Sequence, residues 1–175
     1  KAETGIRYEW YALQRWAADY HKEFSKPKVI YPNMTKYLPF YYDTDTNFFT
    51  NDKGFIITSK GDSLAYLTAF LNSSLFRCCF RDNFPELMGN TYEVRKIFVD
   101  QIPVKKPTAP EGELFERLVA LVQFANVQHA EAELHVHAKL LEEIIDACVM
   151  ECYFHDHMRE HDLLFQTDVA TLVDG

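Results

Sequence analysis

The densest gathering of metal-ligating residue types in the chain is Cys148-x3-Cys152-x2-His155, with His157 and His161 close behind. Thiolate and imidazole donors at such spacing could hold zinc. The same two cysteines, however, extend an apolar stripe through Leu141, Ile144 and Ile145, and free cysteine is among the most buried residue types. Cys78 and Cys79 are adjacent and supply no C-x2-C partner knuckle. The reading is a buried helix face and no metal site. Asp43 with Asp45 could serve a divalent cation or acid–base work. Among threonines and an asparagine they read instead as residues that cap or bend the backbone. Ser73-Ser74 beside Asn72 has no His and Asp in hydrolase order and reads as a helix N-cap. His135 and His137 are two apart and share no helix face; with His129 they read as a solvated polar surface. No catalytic residue emerges.

The basic and amide residues carry a different chemistry. Lys28, Lys36, Lys53, Arg77, Arg81, Arg95 and Lys96 can neutralise phosphates, and Arg, Lys and Asn can pair with base edges. Tyr31, Tyr37, Tyr41 and Tyr42 supply rigid contact area. The positions nearest turns are Asn33, Lys36, Lys53, Arg95 and Lys96, and binding residues concentrate on loops held by a scaffold. The candidate DNA-contacting set is Asn33, Lys36, Lys53, Arg77, Arg81, Arg95 and Lys96.

Charge changes sign along the 175 residues. Lys1 to Pro107 holds 15 Lys+Arg against 12 Asp+Glu, a net +3; Thr108 to Gly175 holds 3 against 14, a net −11. A mildly basic, aromatic-rich first part joined to an acidic second part suits a module that meets a polyanion on one side and a protein on the other. A net +3 is modest for a free-standing DNA binder, so weak binding in isolation is expected, with the acidic part turned away from phosphate.

An apolar fraction of 47% with 25% charged residues allows an ordinary globular core. No stretch approaches the roughly 20 apolar residues of a membrane span. The four cysteines form no disulfide framework, and a reducing, cytoplasmic setting is expected. No signal peptide is evident; the chain begins at Lys1 and runs at once into Tyr8, Trp10, Tyr11 and Trp16, as an excised piece of a longer protein would.

These residues must be positioned by local elements. Residues 17–24 read as helix, stopped by Pro27. Short strands are expected at 28–31 and 38–42. Residues 48–50 and 55–58 read as a hairpin around Asn51-Asp52-Lys53-Gly54, with Gly54 at the position needing positive φ. Asp62 or Ser63 caps a helix through Leu64, Leu67, Thr68 and Leu71, and Ser73-Ser74 opens another through Leu75, Phe76, Cys79 and Phe80, closed by Asn83-Phe84-Pro85. Gly89-Asn90 is a turn, and a strand is expected near 94–99. Residues 105–110 read as a linker. After Gly112 the pattern is helical, with stripes Leu114, Phe115, Leu118, Val119, Val122 and Leu134, Leu141, Ile144, Ile145, Cys148, Val149, Cys152. Two antiparallel helices turning near 126–130, the second from about 131 to 154, are expected; one unbroken helix is the alternative.

The runs Lys26-Pro-Lys-Val-Ile-Tyr-Pro-Asn-Met-Thr, Phe48-Phe-Thr-Asn-Asp-Lys-Gly-Phe-Ile-Ile-Thr, Leu71-Asn-Ser-Ser-Leu-Phe and Ile97 to Pro103 together resemble the TaqI-like specificity domain. That domain closes many type IIG restriction–modification enzymes and related adenine-specific DNA methyltransferases. Ile144-Ile-Asp-Ala-Cys-Val-Met-Glu-Cys-Tyr-Phe is similar to the helical segment that often follows it. The resemblance implies target recognition: an upstream methyltransferase domain binds S-adenosylmethionine, flips an adenine and methylates N6, while this domain selects the site. The chain has no Asn-Pro-Pro-Tyr/Phe motif, no Gly-rich cofactor loop and no Pro-Asp…Glu-x-Lys nuclease signature. It is therefore expected to recognise and not to catalyse. S-adenosylmethionine, with Mg2+ as a second candidate, belongs to the parent, and no cofactor is expected in this piece.

The expected architecture is α+β: a small, twisted, largely antiparallel sheet with a few helices, followed by a C-terminal helical hairpin. The division is 1–107 for target recognition and 108–175 for the acidic helical appendage. The expected function is sequence-specific recognition of double-stranded DNA as part of a restriction–modification or phage-defence methyltransferase. The partners are duplex DNA and the upstream methyltransferase domain, with no membrane. The alternative is a protein-interaction or dimerisation module built on the C-terminal helices.

Overall fold

A computed structural model describes residues 18–127 and 132–174. Tyr8, Trp10, Tyr11, Trp16, Ala17, His129, most of the expected turn at 126–130 and the side chain of His135 lie outside the described residues. The architecture is α+β, with the antiparallel sheet split in two. Strands β1 (Lys28–Pro32), β3 (Tyr41–Asp43) and β4 (Gly54–Ile57) form one sheet in the order β3-β1-β4. Strands β2 (Met34–Thr35), β5 (Glu86–Leu87) and β6 (Thr91–Glu93) form the other in the order β2-β6-β5. The helical segment expected before β1 is a 3₁₀ helix, Ala18–Ser25.

β1 is the centre of the first sheet because its Val29 and Tyr31 point into the core, the period-2 burial of a strand covered on one face. Its two edges are taken by β3 (Lys28↔Asp43, Ile30↔Tyr41) and β4 (Val29↔Ile57, Pro32↔Gly54). The expected hairpin of 48–50 with 55–58 is therefore not formed. β4 pairs with β1, and 48–50 belongs to a loop held by Asp43, whose carboxylate accepts from the amides of Asn47 at 3.4 Å and Phe48 at 3.2 Å. The expected strand at 38–42 shrinks to Tyr41–Asp43, since Leu38 sits at φ 48.

Gly54 is required for space and not for a positive φ. A Cβ there would lie 2.9 Å from Thr50 Cβ. Gly54→Ala is expected to cost roughly 1–3 kcal/mol, the usual penalty of overpacking. Thr50→Gly added to it removes the offending atoms, so chemical denaturation of the double variant, compared with Thr50→Gly alone, recovers most of that loss. An equal loss in both backgrounds would refute the steric account.

Helix α1 (Leu64–Asn72) is buried almost all round, through Leu64, Ala65, Tyr66, Thr68, Ala69, Phe70 and Leu71, as a helix at the centre of a small domain must be. Ser63 is its N-cap, its hydroxyl accepting from the Tyr66 amide at 3.2 Å. Ser73 caps α2 (Ser74–Phe80) through the Phe76 amide at 3.1 Å. Asn72 imitates a strand partner: its amide nitrogen donates to the Phe40 carbonyl at 2.8 Å and its oxygen accepts from the Phe40 amide at 3.1 Å. Gly89 and Asn90, both at positive φ, make the expected turn between β5 and β6. The expected strand at 94–99 is instead the short helix α3 (Lys96–Val99).

Helix α4 (Ala109–Val127) starts before Gly112. Thr108 and Glu111 form a capping box: the Glu111 carboxylate accepts from the Thr108 amide at 2.6 Å, and the Thr108 hydroxyl accepts from the Glu111 amide at 3.4 Å. Pro110 in the first turn loses no helical hydrogen bond. Helix α5 (Ala132–Glu160) runs antiparallel to α4: the Lys105 amide, just before α4, donates to the Tyr153 hydroxyl at 3.0 Å, while Asn126 and Val127 share a groove with Lys139 and Glu142. α5 leaves helical φ/ψ at Phe154 (φ −120, ψ 30) and resumes to Glu160.

A further helix, α6 (Gln166–Asp174), was not expected. Buried Glu151 accepts from the amides of Phe165 at 2.9 Å and Gln166 at 3.1 Å and so caps it. One hydrophobic cluster runs from Val29 and Phe40 through Phe70 and Phe76 to Phe115, Leu118, Cys148 and Val149. No helix among the described residues is long and apolar enough to cross a membrane.

Candidate nucleic-acid interface

The two sheets meet at Asn33, between β1 and β2. Its backbone amide donates to the Lys53 carbonyl at 2.9 Å, and its carbonyl accepts from the Val94 amide at 2.8 Å. Three segments distant in sequence are thereby joined: the turn at Asn33, the loop ending at Lys53, and the strand exit that leads to Arg95 and Lys96. Lys36 follows β2 in a turn where the Tyr37 amide donates to the Thr35 hydroxyl at 3.1 Å. The Arg81 guanidinium lies 5.8 Å from the centroid of Tyr92, the residue that pairs with Thr35 across the second sheet. Asn33, Lys36, Lys53, Arg81, Arg95 and Lys96 are thus gathered around the second sheet and its junction with the first.

The cations of this group are exposed, and four of them are held by near neighbours. Lys53 pairs with Asp52 at 3.2 Å, Arg95 with Glu93 at 2.6 Å, Arg81 with Asp82 at 3.4 Å, and Lys96 with Asp100 one helical turn on. Ion pairs this open to solvent contribute little, so a phosphate can displace the carboxylate at small cost.

Arg77 is placed elsewhere. It lines a groove of roughly 700 Å³ between α2 and the α4–α5 pair, together with Glu142, Glu143 and Asp146 of α5. Lys28, read in sequence as a phosphate ligand, has a different role. Its side chain is 0% exposed and its Nζ binds the Asp43 carboxylate and, at 2.9 Å, the Phe24 carbonyl. It cannot reach solvent, and the strand register that sets Lys28 opposite Asp43 is the reason. Asp43 is accordingly a backbone-capping and charge-pairing residue, the turn role expected of it.

Tyr31 is also withdrawn from contact. It is buried between Phe40 and Phe55, with ring centroids 5.4 and 5.6 Å away, and burial, aided by the charge of Asp100, pushes its hydroxyl up to about 12. Tyr37, 79% exposed, and Tyr41, 51% exposed, remain available. Phe49 and Asn51 were not singled out in sequence. They line a shallow concavity with Tyr41, Pro39 and Lys53, where Asn51 accepts from the Lys53 amide at 2.9 Å. Their signal was the turn itself, which presents whatever flanks it.

The cysteines of the second part are core residues. Cys148 and Cys152 are buried, and burial pushes both thiols up to about 12. Gln166 Nε2 lies 3.2 Å from Cys152 Sγ, and His155 is on the exposed side of the helix.

No curated protein matches the chain. A family model for the TaqI-like C-terminal specificity domain matches residues 2–104, more than half of the chain and including every one of the gathered cations. A mixed α+β scaffold, with hydrogen-bonding and cationic side chains brought to one junction, agrees with that match, and the chain belongs to the TaqI-like C-terminal specificity domain family.

Proposed function

We propose that this domain recognises a specific sequence in double-stranded DNA on behalf of an adenine-N6 methyltransferase of a restriction–modification or phage-defence system. The observation that carries the reading is the junction at Asn33, which binds the Lys53 loop and the Arg95–Lys96 segment to one backbone position. Lys36, Arg81, Lys96 and Lys53 fix register on phosphates. Asn33 and Arg95 are the residues suited to base edges, amide to adenine and guanidinium to guanine. Methyl transfer and S-adenosylmethionine belong to the upstream domain of the parent, as does base flipping. The helical pair carries exposed Leu121, Phe124 and Leu140, which suit a protein surface, and the upstream domain is the natural one.

Salt dependence tests the reading. Binding to duplex containing the target falls linearly in log K against log salt, with a slope of about −0.9 for each phosphate neutralised. Lys53→Ala with Lys96→Ala makes the slope shallower by about two units without changing the preferred sequence. Arg95→Ala relaxes preference at one base pair. If neither the chain nor its parent binds duplex DNA at low salt, the proposal fails and the protein-interaction reading takes its place.

A further inference from the structure

We propose that His157, Glu160 and His161 form a surface site for one divalent transition-metal ion, zinc being the ion that the ligand set suits. The ligand atoms of the three side chains lie within 4.8 Å of one another, and the two imidazole rings are 4.5 Å apart, centre to centre. All three residues are exposed. His157 lies on the last turn of α5 and His161 one residue beyond its end, four positions on, so the two rings stand side by side, and Glu160 closes the set.

A second observation concerns the tautomer of His161. Its Nδ1 lies 2.9 Å from the carbonyl oxygen of His157. A carbonyl only accepts, so Nδ1 carries the proton and Nε2 keeps its lone pair free for a metal. Fixing the remote N–H on a carbonyl or carboxylate is how ligating histidines are usually oriented. Two imidazoles and one carboxylate favour Zn2+, Ni2+ or Cu2+ over Mg2+ and Ca2+, and water completes the shell of an exposed site.

The backbone beside the cluster makes a tight reversal. α5 ends at Glu160, the chain reverses through Asp162 at φ 57, and the Leu163 amide returns to the Met158 carbonyl at 2.9 Å. A metal held by His157 and His161 clips the last helical turn to that reversal, and so to the start of α6. The site is separate from Cys148 and Cys152, and it stands whether or not the chain binds DNA.

Calorimetric titration of the full chain, stripped with chelator, tests this. Zinc chloride is expected to bind one ion per chain, copper sulfate to bind more tightly in keeping with the general order of divalent affinities, and magnesium chloride to give no saturable binding. His157→Ala and His161→Ala each weaken zinc roughly tenfold or more; both positions are exposed, so the circular dichroism of the stripped variants matches that of the parent chain. Cys78→Ser with Cys79→Ser leaves zinc affinity unchanged. Absence of saturable zinc binding, or binding that survives His157→Ala with His161→Ala, or binding lost with the two exposed cysteines, overturns the proposal.

Discussion

Asp43→Ala is expected to lower the free energy of unfolding by about 3–5 kcal/mol, the cost of leaving one charge of a buried pair uncompensated. Lys28 is fully inaccessible and Asp43 only 2% exposed. Without the carboxylate, the ammonium keeps the Phe24 carbonyl alone, and the amides of Asn47 and Phe48 lose their acceptor. Lys28→Met costs less, because Asp43 retains those two donors. Lys28→Met combined with Asp43→Ala is more stable than Asp43→Ala alone, since no charge is left stranded. Urea midpoints of the three variants check this. Strict additivity of the single losses in the double variant would refute a coupled pair.

The same pair makes the fold acid-sensitive. Burial alone raises the Asp43 carboxyl, but the Lys28 hydrogen bond and charge, with the Phe48 and Asn47 amides, outweigh it and hold the group below the usual carboxylate value. A carboxyl depressed in the folded state contributes stability that is complete above its unfolded value of about 3.9. That stability is lost as pH falls through the lower folded value. Asp43→Asn therefore flattens this part of the acid unfolding curve while lowering stability at neutral pH.

Phe76→Ala is the second large effect, expected at about 3–5 kcal/mol. Phe76 is 0% exposed, and the rings of Phe40, Phe70, Phe80 and Phe84 surround it at 5.7, 5.7, 5.8 and 6.2 Å. Those partners come from the loop before β3, from α1, from α2 itself and from the segment before β5, so one truncation opens a void where four pieces meet. Phe84 also touches Phe98 of α3, which extends the loss toward Arg95 and Lys96. Hydrogen exchange is expected to quicken at the Val94 and Phe98 amides more than in the middle of α4. Uniform quickening would show that the cluster gives the interface no local support. Phe76→Leu retains much of the volume and loses less.

The elements most legible in the chain were those specified by local chemistry. Ser63 and Ser73 announce their helices because a hydroxyl before an apolar run can satisfy a free amide. The stripes of α4 and α5 repeat at helical spacing over enough turns to be unambiguous. Illegible were choices made by distant partners. Residues 48–50 have strand composition, yet β1 already offered both edges to β3 and β4. Residues 94–99 likewise contain Val, Ile and Phe, but β6 stops at Glu93 and the chain coils into α3. Lysine at 28 reads as surface in any local view; only the cross-strand register brings it an acid.

Thr108-x-x-Glu111 was a readable start signal, hidden because Pro110 looked like linker punctuation. α6 was obscured by the lack of Gly or Pro before it, the break being made by Asp162. Of the candidate interface, residue types could name Asn33, Lys53 and Arg95, but not that the backbone of one residue, Asn33, ties the three segments together, nor that Arg77 stands apart.

The doubly bonded backbone of Asn33 constrains how relatives of this domain can diversify. Because the backbone at position 33 is bonded on both sides, inserting or deleting a residue in any of the three converging segments would shift the register of the other two. Exchange of side chains on an unchanged main chain leaves the lattice intact. New preferences at this junction are therefore reached by point substitution, not by changes of length in the three segments that converge there.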